Sequence, residues 1–348
     1  TGNLSQWIDI PLNEVQEDVT LTVSGSVKEN NKLSDSISVD IHTVSQLANH
    51  AVSDTQELTP DYLVPTEHLS QTLLLFSNDR AAKGLSGLYE LAVTDTVRLE
   101  QRLTSFLAQG LLKEYFQVES FITDEKEVRG AILKYQDSQT GGIRPLPAAE
   151  VDLEVSVLTA VAGSEFFHKG ALIDYFKSYL DRGTDKEKSL ALWGLAATRQ
   201  PYLNQAIALY DEGNLDGEGQ LYLALALHAF GEGPKAQQMA EDLVKKYSED
   251  LGGARRATIS SLEEETIRAT ARMALLATAY ELPQAQELTT YLDENPGTRD
   301  HYLIERYLIL ESMVEYGNTQ GSFRYDFDGE TTDVDLAENY THSLVVPS

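Results

Sequence analysis

The sequence predicts a mainly α-helical chain with a small antiparallel β part built from both ends, and three observations carry that prediction. The first fifty residues alternate with the period of a strand, the long middle repeats with the period of a helix, and the last thirty return to strand alternation. Length and composition set the frame, because 348 residues can bury a large core.

The N-terminal text gives the clearest strands. In "VTLTVSG" Val19, Leu21 and Val23 alternate with Thr20, Thr22 and Ser24, and in "SISVDI" Ile37, Val39 and Ile41 alternate with polar neighbours. A period of two lets one face pack while the other stays wet, so a small sheet is expected. "QWIDIPL" before them reads as another strand, and the polar text from Ser45 to Glu67, with Pro60 and Pro65, reads as a connector.

From His68 to Tyr316 we count eleven or twelve helices. They come in pairs: an almost wholly apolar segment such as "LYLALALHAF" stands beside a charged-faced one such as "GPKAQQMAEDLVKKYSED". A helix apolar on most sides must be enclosed and an amphipathic one lies outside it, so the alternation implies two concentric layers. The spacing of the apolar members falls in the range of helical-hairpin repeats, and it fits a bundle or an open solenoid as well. After the helices, "SFRYDFDGETTDVDL" sets Phe323, Tyr325 and Phe327 on one face, turns at Asp328-Gly329 and continues through Val334 and Leu336, and "HSLVVP" closes as a strand. Short terminal sheets need further strands to be stable, so the two ends are expected to combine into one β part with the helices inserted between them.

Charge and composition exclude several functions. Lys plus Arg is 27 against 55 for Asp plus Glu, a formal charge of −28 that repels phosphate backbones and anionic lipid, so nucleic acid and membrane are not expected partners. No cysteine is present, which removes disulfides, thiolate metal sites, cysteine nucleophiles and thioesters together. No apolar run approaches the ~20 residues that span a bilayer. The chain opens at Thr1-Gly2 without methionine and reads as an excised or processed segment. The seven histidines, His228 in "ALALHAF" among them, show no metal-ligand spacing, and neither a phosphate loop nor a GxSxG elbow occurs, so no metal and no cofactor are expected. His228 is expected to be at least half buried. Asn3-Leu4-Ser5 and Asn339-Tyr340-Thr341 fit the glycosylation pattern.

Two stretches carry a family resemblance. In "AILKYQDSQTGGIRPLPAAEVDLEVSVLTAV", Gln136, Asp137, Gly141 and Gly142 form a helix-ending turn, where glycine can take φ > 0, before the stiffening Pro145 and Pro147. In "TDTVRLEQRLTSFLAQGLL", Val97-Arg98-Leu99-Glu100-Gln101 opens a helix with an acid and an amide. Together with the layout, these resemble the alpha-2-macroglobulin and complement family, bacterial type. The resemblance implies an α/α toroid of about six helix pairs, the thioester domain, inserted in a CUB-like β-sandwich. It assigns residues 1–66 to the first CUB-like part plus linker, 67–319 to the toroid and 320–348 to the returning strands. In that family a Gly-Cys-x-Glu-Gln motif acylates the cysteine with the glutamine side chain one helical turn on; here Arg98 stands at the thiol and Val97 at the glycine, so the five residues read as a degenerate motif.

The resemblance implies a non-catalytic role in steric protease trapping or surface defence, with proteases or other domains of the same larger protein as partners and an extracellular, periplasmic or cell-surface location. Two alternatives belong to other classes: a glycan-cleaving toroid enzyme with paired carboxylates, and a structural spacer of a surface protein. Among acidic candidates, Asp152 and Glu154 lie two apart, point to different sides of a helix and read as cap or surface groups. Glu263, Glu264 and Glu265 read as acid at a helix N-terminus capped by Ser260 or Ser261.

Overall fold

The computed structural model describes residues 19–27, 30–41, 71–77, 79–94, 97–116, 118, 125–315, 322–335 and 341–347. The strand expected in "QWIDIPL", the connector and Asn3-Leu4-Ser5 lie outside them, as do Asn339 and Tyr340. The chain is mainly α-helical and divides into two compact units, Thr1–Leu58 and Thr59–Ser348.

In the first unit β1 (Val19–Val27) pairs antiparallel with β2 (Asn30–Ile41). The register sets Val19 opposite Ile41, Leu21 opposite Val39 and Val23 opposite Ile37, while Thr20 meets Asp40 and Thr22 meets Ser38. Apolar positions therefore fall opposite apolar ones, as a period of two requires.

The second unit opens with a strand where helical spacing is expected. β3 (Gln71–Ser77) pairs antiparallel with β8 (Thr341–Pro347), with Leu73 opposite Val345 and Leu74 opposite Leu344. A short unbroken apolar run such as "TLLLF" carries no period that separates strand from buried helix. Between them in sequence, β6 (Ser322–Phe327) and β7 (Glu330–Asp335) form the hairpin expected at Asp328-Gly329, both of which take positive φ, 52° and 81°. Phe76 of β3 packs on Phe323 and Tyr325 of β6, with ring centroids 4.5 and 6.0 Å away.

Twelve α-helices lie between β3 and β6 among the described residues: α1 (Asp79–Ala92), α2 (Leu99–Phe116), α3 (Glu125–Leu133), α4 (Leu153–Gly163), α5 (Lys169–Arg182), α6 (Asp185–Ala197), α7 (Leu203–Glu212), α8 (Gly217–Ala229), α9 (Gly233–Tyr247), α10 (Glu263–Ala279), α11 (Ala285–Glu294) and α12 (Leu303–Glu315). A three-residue-strand hairpin, β4 (Ser248–Asp250) with β5 (Arg255–Ala257), joins α9 to α10. The even-numbered helices pack on one another in order, α2 on α4, α4 on α6, α6 on α8, α8 on α10 and α10 on α12, and α12 packs on α2. The odd-numbered ones lie against them: α5 on α6, α9 on α8, α11 on α10, and α1 on α2 and α12.

Sequence explains this division. Residues 189–196 of α6 and 221–227 of α8 are buried without interruption, so neither helix has a wet face. In α9 burial is confined to Ala236, Met239, Ala240, Leu243 and Val244, a stripe of three- and four-residue steps. Caps fix where the inner helices start. Thr184 and Glu187 form a capping box on α6, Asp216 accepts from Gly219 N at 2.7 Å on α8, and Asp152 accepts from Val155 N at 2.9 Å on α4. At α10 the cap residue is Leu262 rather than Ser260 or Ser261; the Ser260 hydroxyl accepts from Leu262 N at 3.1 Å and donates to Glu265.

Candidate functional site

The helix α2 starts at Leu99, which is fully buried, with Glu100 in its first turn at the positive end of the helix dipole. Val97 and Arg98 precede the helix; Val97 is 66% exposed and the Arg98 side chain about half exposed. Arg98 Nη2 donates to Glu100 Oε1 at 3.0 Å. The other Glu100 oxygen, Oε2, is buried and has no hydrogen-bond partner among the described residues. Gln101 is half buried on the same turn. Nothing here is a nucleophile, since a guanidinium stands where the resemblance puts a thiol and the chain has no cysteine.

The second predicted group, Gln136, Asp137, Gly141 and Gly142, forms one turn docked on α5. The Gln136 amide donates to Gly141 O at 3.0 Å and His168 O at 3.2 Å, and accepts from His168 N at 2.7 Å. Asp137 Oδ1 accepts from Thr140 N at 2.7 Å, Thr140 Oγ1 at 2.9 Å and Gln139 N at 3.1 Å, and Oδ2 pairs with Arg144. The amide and hydroxyl of Thr140, with Arg144 adding its charge, hold this carboxyl below the usual aspartate value. Gly141 takes φ 80°, and a Cβ there would stand 2.2 Å from the Ala171 carbonyl oxygen; at Gly142 it would stand 2.6 Å from the Tyr175 ring. Both glycines are thus required by the approach of α5.

The two predicted groups meet. The Tyr135 hydroxyl donates to Val97 O at 2.6 Å, and Leu99 N donates to Pro145 O at 3.0 Å, so the residues flanking the turn clamp the chain just before α2.

A third constellation is one that the sequence reading missed. Arg272 of α10 is 2% exposed and Glu305 of α12 is 1% exposed. Arg272 Nε donates to Glu305 Oε1 at 2.9 Å, Nη1 to the Tyr222 hydroxyl at 2.8 Å, and Nη2 to Glu154 Oε1. The Tyr222 hydroxyl also donates to Glu218 at 2.9 Å, which pairs with Lys186 at 2.9 Å, and Arg268 stands 3.9 Å from Glu154. Burial pushes Glu154 up, but the charge and hydrogen bond of Arg272 outweigh it and hold the carboxyl below the usual glutamate value. Glu305 is shifted up, with burial the largest cause. Burial also raises the Tyr222 phenol. Asp152 therefore caps, as its position suggests, whereas Glu154 is an interior partner rather than a surface group. The signal that could have found this site is an arginine inside the apolar text "ATARMALLATA" and a glutamate inside "YLIERYLIL", because such charges are rarely buried unless paired.

His228 keeps part of its surface open to solvent, its Nδ1 lies 2.9 Å from the Tyr280 hydroxyl, and partial burial shifts its imidazole pKa down. Among the described residues no cluster of three or more His, Asp or Glu side chains is placed to hold a metal ion, and no helix is long and apolar enough to cross a membrane. A groove of about 500 Å³ runs over Val244, Lys245, Arg255 and Leu282, and one of about 280 Å³ over Arg129, Leu133 and Phe166, both away from the Arg272 cluster.

No protein-family model matches the chain, and no curated protein matches it in sequence. Its fold is similar to that of solved bacterial alpha-2-macroglobulins. The crystal structure of the Salmonella protein reacted with methylamine aligns with TM-score 0.55 and 16% identity over 95% of this chain and 24% of its own. Native Escherichia coli alpha-2-macroglobulin, in a crystal structure spanning domain MG7 to the C-terminus, gives TM-score 0.50 and 14% identity over 79% of this chain and 48% of its own. A cryo-EM reconstruction of the native E. coli protein gives 0.51 and 12%, over 95% and 26%. The chain spans about a quarter to a half of the length of these structures, and at such identities the likeness shows a macroglobulin-like fold.

Proposed function

We propose that this chain is the toroid-and-CUB-like module of a macroglobulin-like protein that holds its target proteases sterically, with no covalent capture. One combined observation carries the reading: a fold similar to Salmonella alpha-2-macroglobulin over 95% of the chain, in a sequence without a single cysteine. The cyclic packing of α2, α4, α6, α8, α10 and α12, with odd-numbered helices against α2, α6, α8, α10 and α12, supports an α/α toroid. Pairing of β3 with β8 across the whole helical block supports insertion of the helices between paired strands, with β3 added to the returning strands of residues 320–348.

In this reading Val97, Arg98, Leu99, Glu100 and Gln101 are a degenerate thioester motif. These residues lie beside the Gln136–Gly142 turn and are held by the Tyr135 and Pro145 hydrogen bonds and by the Arg98–Glu100 pair. Partners are proteases or other domains of the larger protein, and the location is extracellular, periplasmic or at the cell surface. The module is not itself an enzyme. A structural spacer is the second reading, favoured by buried Arg272 and Tyr222, whose polar groups are taken up by one another and by Glu154 and Glu305.

The test is to incubate the full-length protein with a protease and compare gel filtration under native conditions with a denaturing gel. Co-elution that denaturation fully reverses is the expected result. A protease adduct that survives denaturation refutes the loss of covalent capture, and free passage of the protease favours the spacer.

A further inference from the structure

Arg272 is a buried cation whose three nitrogens reach three other helices: Glu154 on α4, Tyr222 on α8 and Glu305 on α12. The partners lie 118, 50 and 33 residues away in sequence, so the guanidinium ties the last inner helices, α10 and α12, to the earlier ones, α4 and α8. Every charged or titratable group facing it belongs to one network: Glu154 from α4, Lys186 from α6, Glu218 and Tyr222 from α8, Arg268 from α10 and Glu305 from α12. With Arg272 itself, three cations face three carboxylates.

The two carboxylates on Arg272 differ in access. Glu305 keeps 2% of its side chain exposed, whereas Glu154 keeps 28%, so water and protons reach the cluster through Glu154. Loss of charge on Glu154 leaves the guanidinium facing Glu305, a carboxyl already biased toward its neutral form by burial. An uncompensated cation in a dry core is among the most costly arrangements a fold can hold, and the cheapest relief is to let solvent in.

We propose that these residues form a charge-dependent clasp: while Glu154 is ionised, Arg272 holds α10 and α12 against α4 and α8, and when that charge is lost the two pairs of helices part. The inference does not depend on the protease-trapping reading. Because Arg272 holds Glu154 below the usual value, the clasp stays shut at neutral pH and opens only as pH falls below 4.5, through the folded-state value.

The absence of cysteine makes a clean distance measurement available. Asp181→Cys, exposed at the end of α5, which lies against α6 between α4 and α8 in the packing order, and Glu294→Cys, exposed at the end of α11, which lies against α10, take spin labels. In the otherwise unchanged chain, pulsed dipolar spectroscopy is expected to give one narrow distance at neutral pH and a second, longer population on acidification, while far-UV circular dichroism is unchanged. Glu154→Gln is expected to show the longer population already at neutral pH, and Glu305→Gln to keep the narrow one. An unchanged distance in Glu154→Gln overturns the proposal, as does opening of Glu305→Gln to the same extent. Where Glu154→Gln loses helical signal, the unsubstituted titration decides: a distance constant down to the onset of helix loss overturns the clasp.

Discussion

Arg272→Met is the most demanding perturbation of this fold. The side chain is 2% exposed, donates to three partners and faces a carboxylate on Glu305 that is equally buried. Methionine fills most of the volume and leaves the hydrophobic contacts nearly intact, so the loss isolates the charge. Removing one partner of a buried ion pair costs about 3–5 kcal/mol, since the remaining carboxylate must be neutralised or solvated. Glu154 adds little to this cost, because it is 28% exposed and retains Arg268 at 3.9 Å. Against a total stability of about 5–15 kcal/mol, that is a third or more of the fold. Urea unfolding followed by far-UV circular dichroism measures it, and the double variant Arg272→Met/Glu305→Leu should recover much of the loss, because two apolar residues replace a buried pair at small cost. A loss below about 1 kcal/mol in the single variant, or a double variant no more stable than the single, would refute the reasoning.

The turn that docks on α5 gives a second test: Gly141→Ala meets the Ala171 carbonyl at 2.2 Å from a positive φ, and should cost at least ~1–3 kcal/mol in unfolding free energy, read as a lowered midpoint. Tyr135→Phe removes the donor to Val97 O and should cost about 0.5–1.5 kcal/mol, with faster hydrogen exchange confined to the start of α2. Acid stability follows from Glu154 and Glu187, whose carboxyls are held below the ordinary 4.5 by Arg272 against burial and by the Thr184 amide and hydroxyl respectively. Their stabilisation is present above 4.5 and is lost as pH falls through the folded-state values, whereas Glu305, shifted up by burial, contributes in the opposite sense, losing its share as pH rises through its folded value. Urea midpoints measured across the acid range should therefore fall below 4.5, and that fall should shrink in Glu187→Gln.

Much of the architecture could be read from local text because it is locally written. The apolar run of α8 beside the striped α9, the cap at Asp152 and the Asp328-Gly329 turn each depend on residues a few positions apart. The opening of α2 at Glu100 and the glycine turn before α4 were legible for the same reason. What was not legible is long-range. Gln71–Ser77 becomes a strand through pairing with Thr341–Pro347, and no local period announces a partner so distant. Glu154 reads as a surface acid until Arg272, 118 residues later, is folded against it. The contact between the two predicted groups, through Tyr135 and Pro145, likewise arises only when the loop folds back on α2.

The proposed function is steric holding of a protease by a protein in which this chain carries no thiol. Cleavage of a large protein substrate and of a small peptide substrate should be compared for the same protease before and after it is mixed with the full-length protein. The account predicts that cleavage of the large substrate is suppressed, that cleavage of the small peptide persists, and that both return in full after the complex is dissociated. Equal cleavage of the large substrate with and without the protein, or protection that outlasts dissociation through a covalent bond, would contradict it.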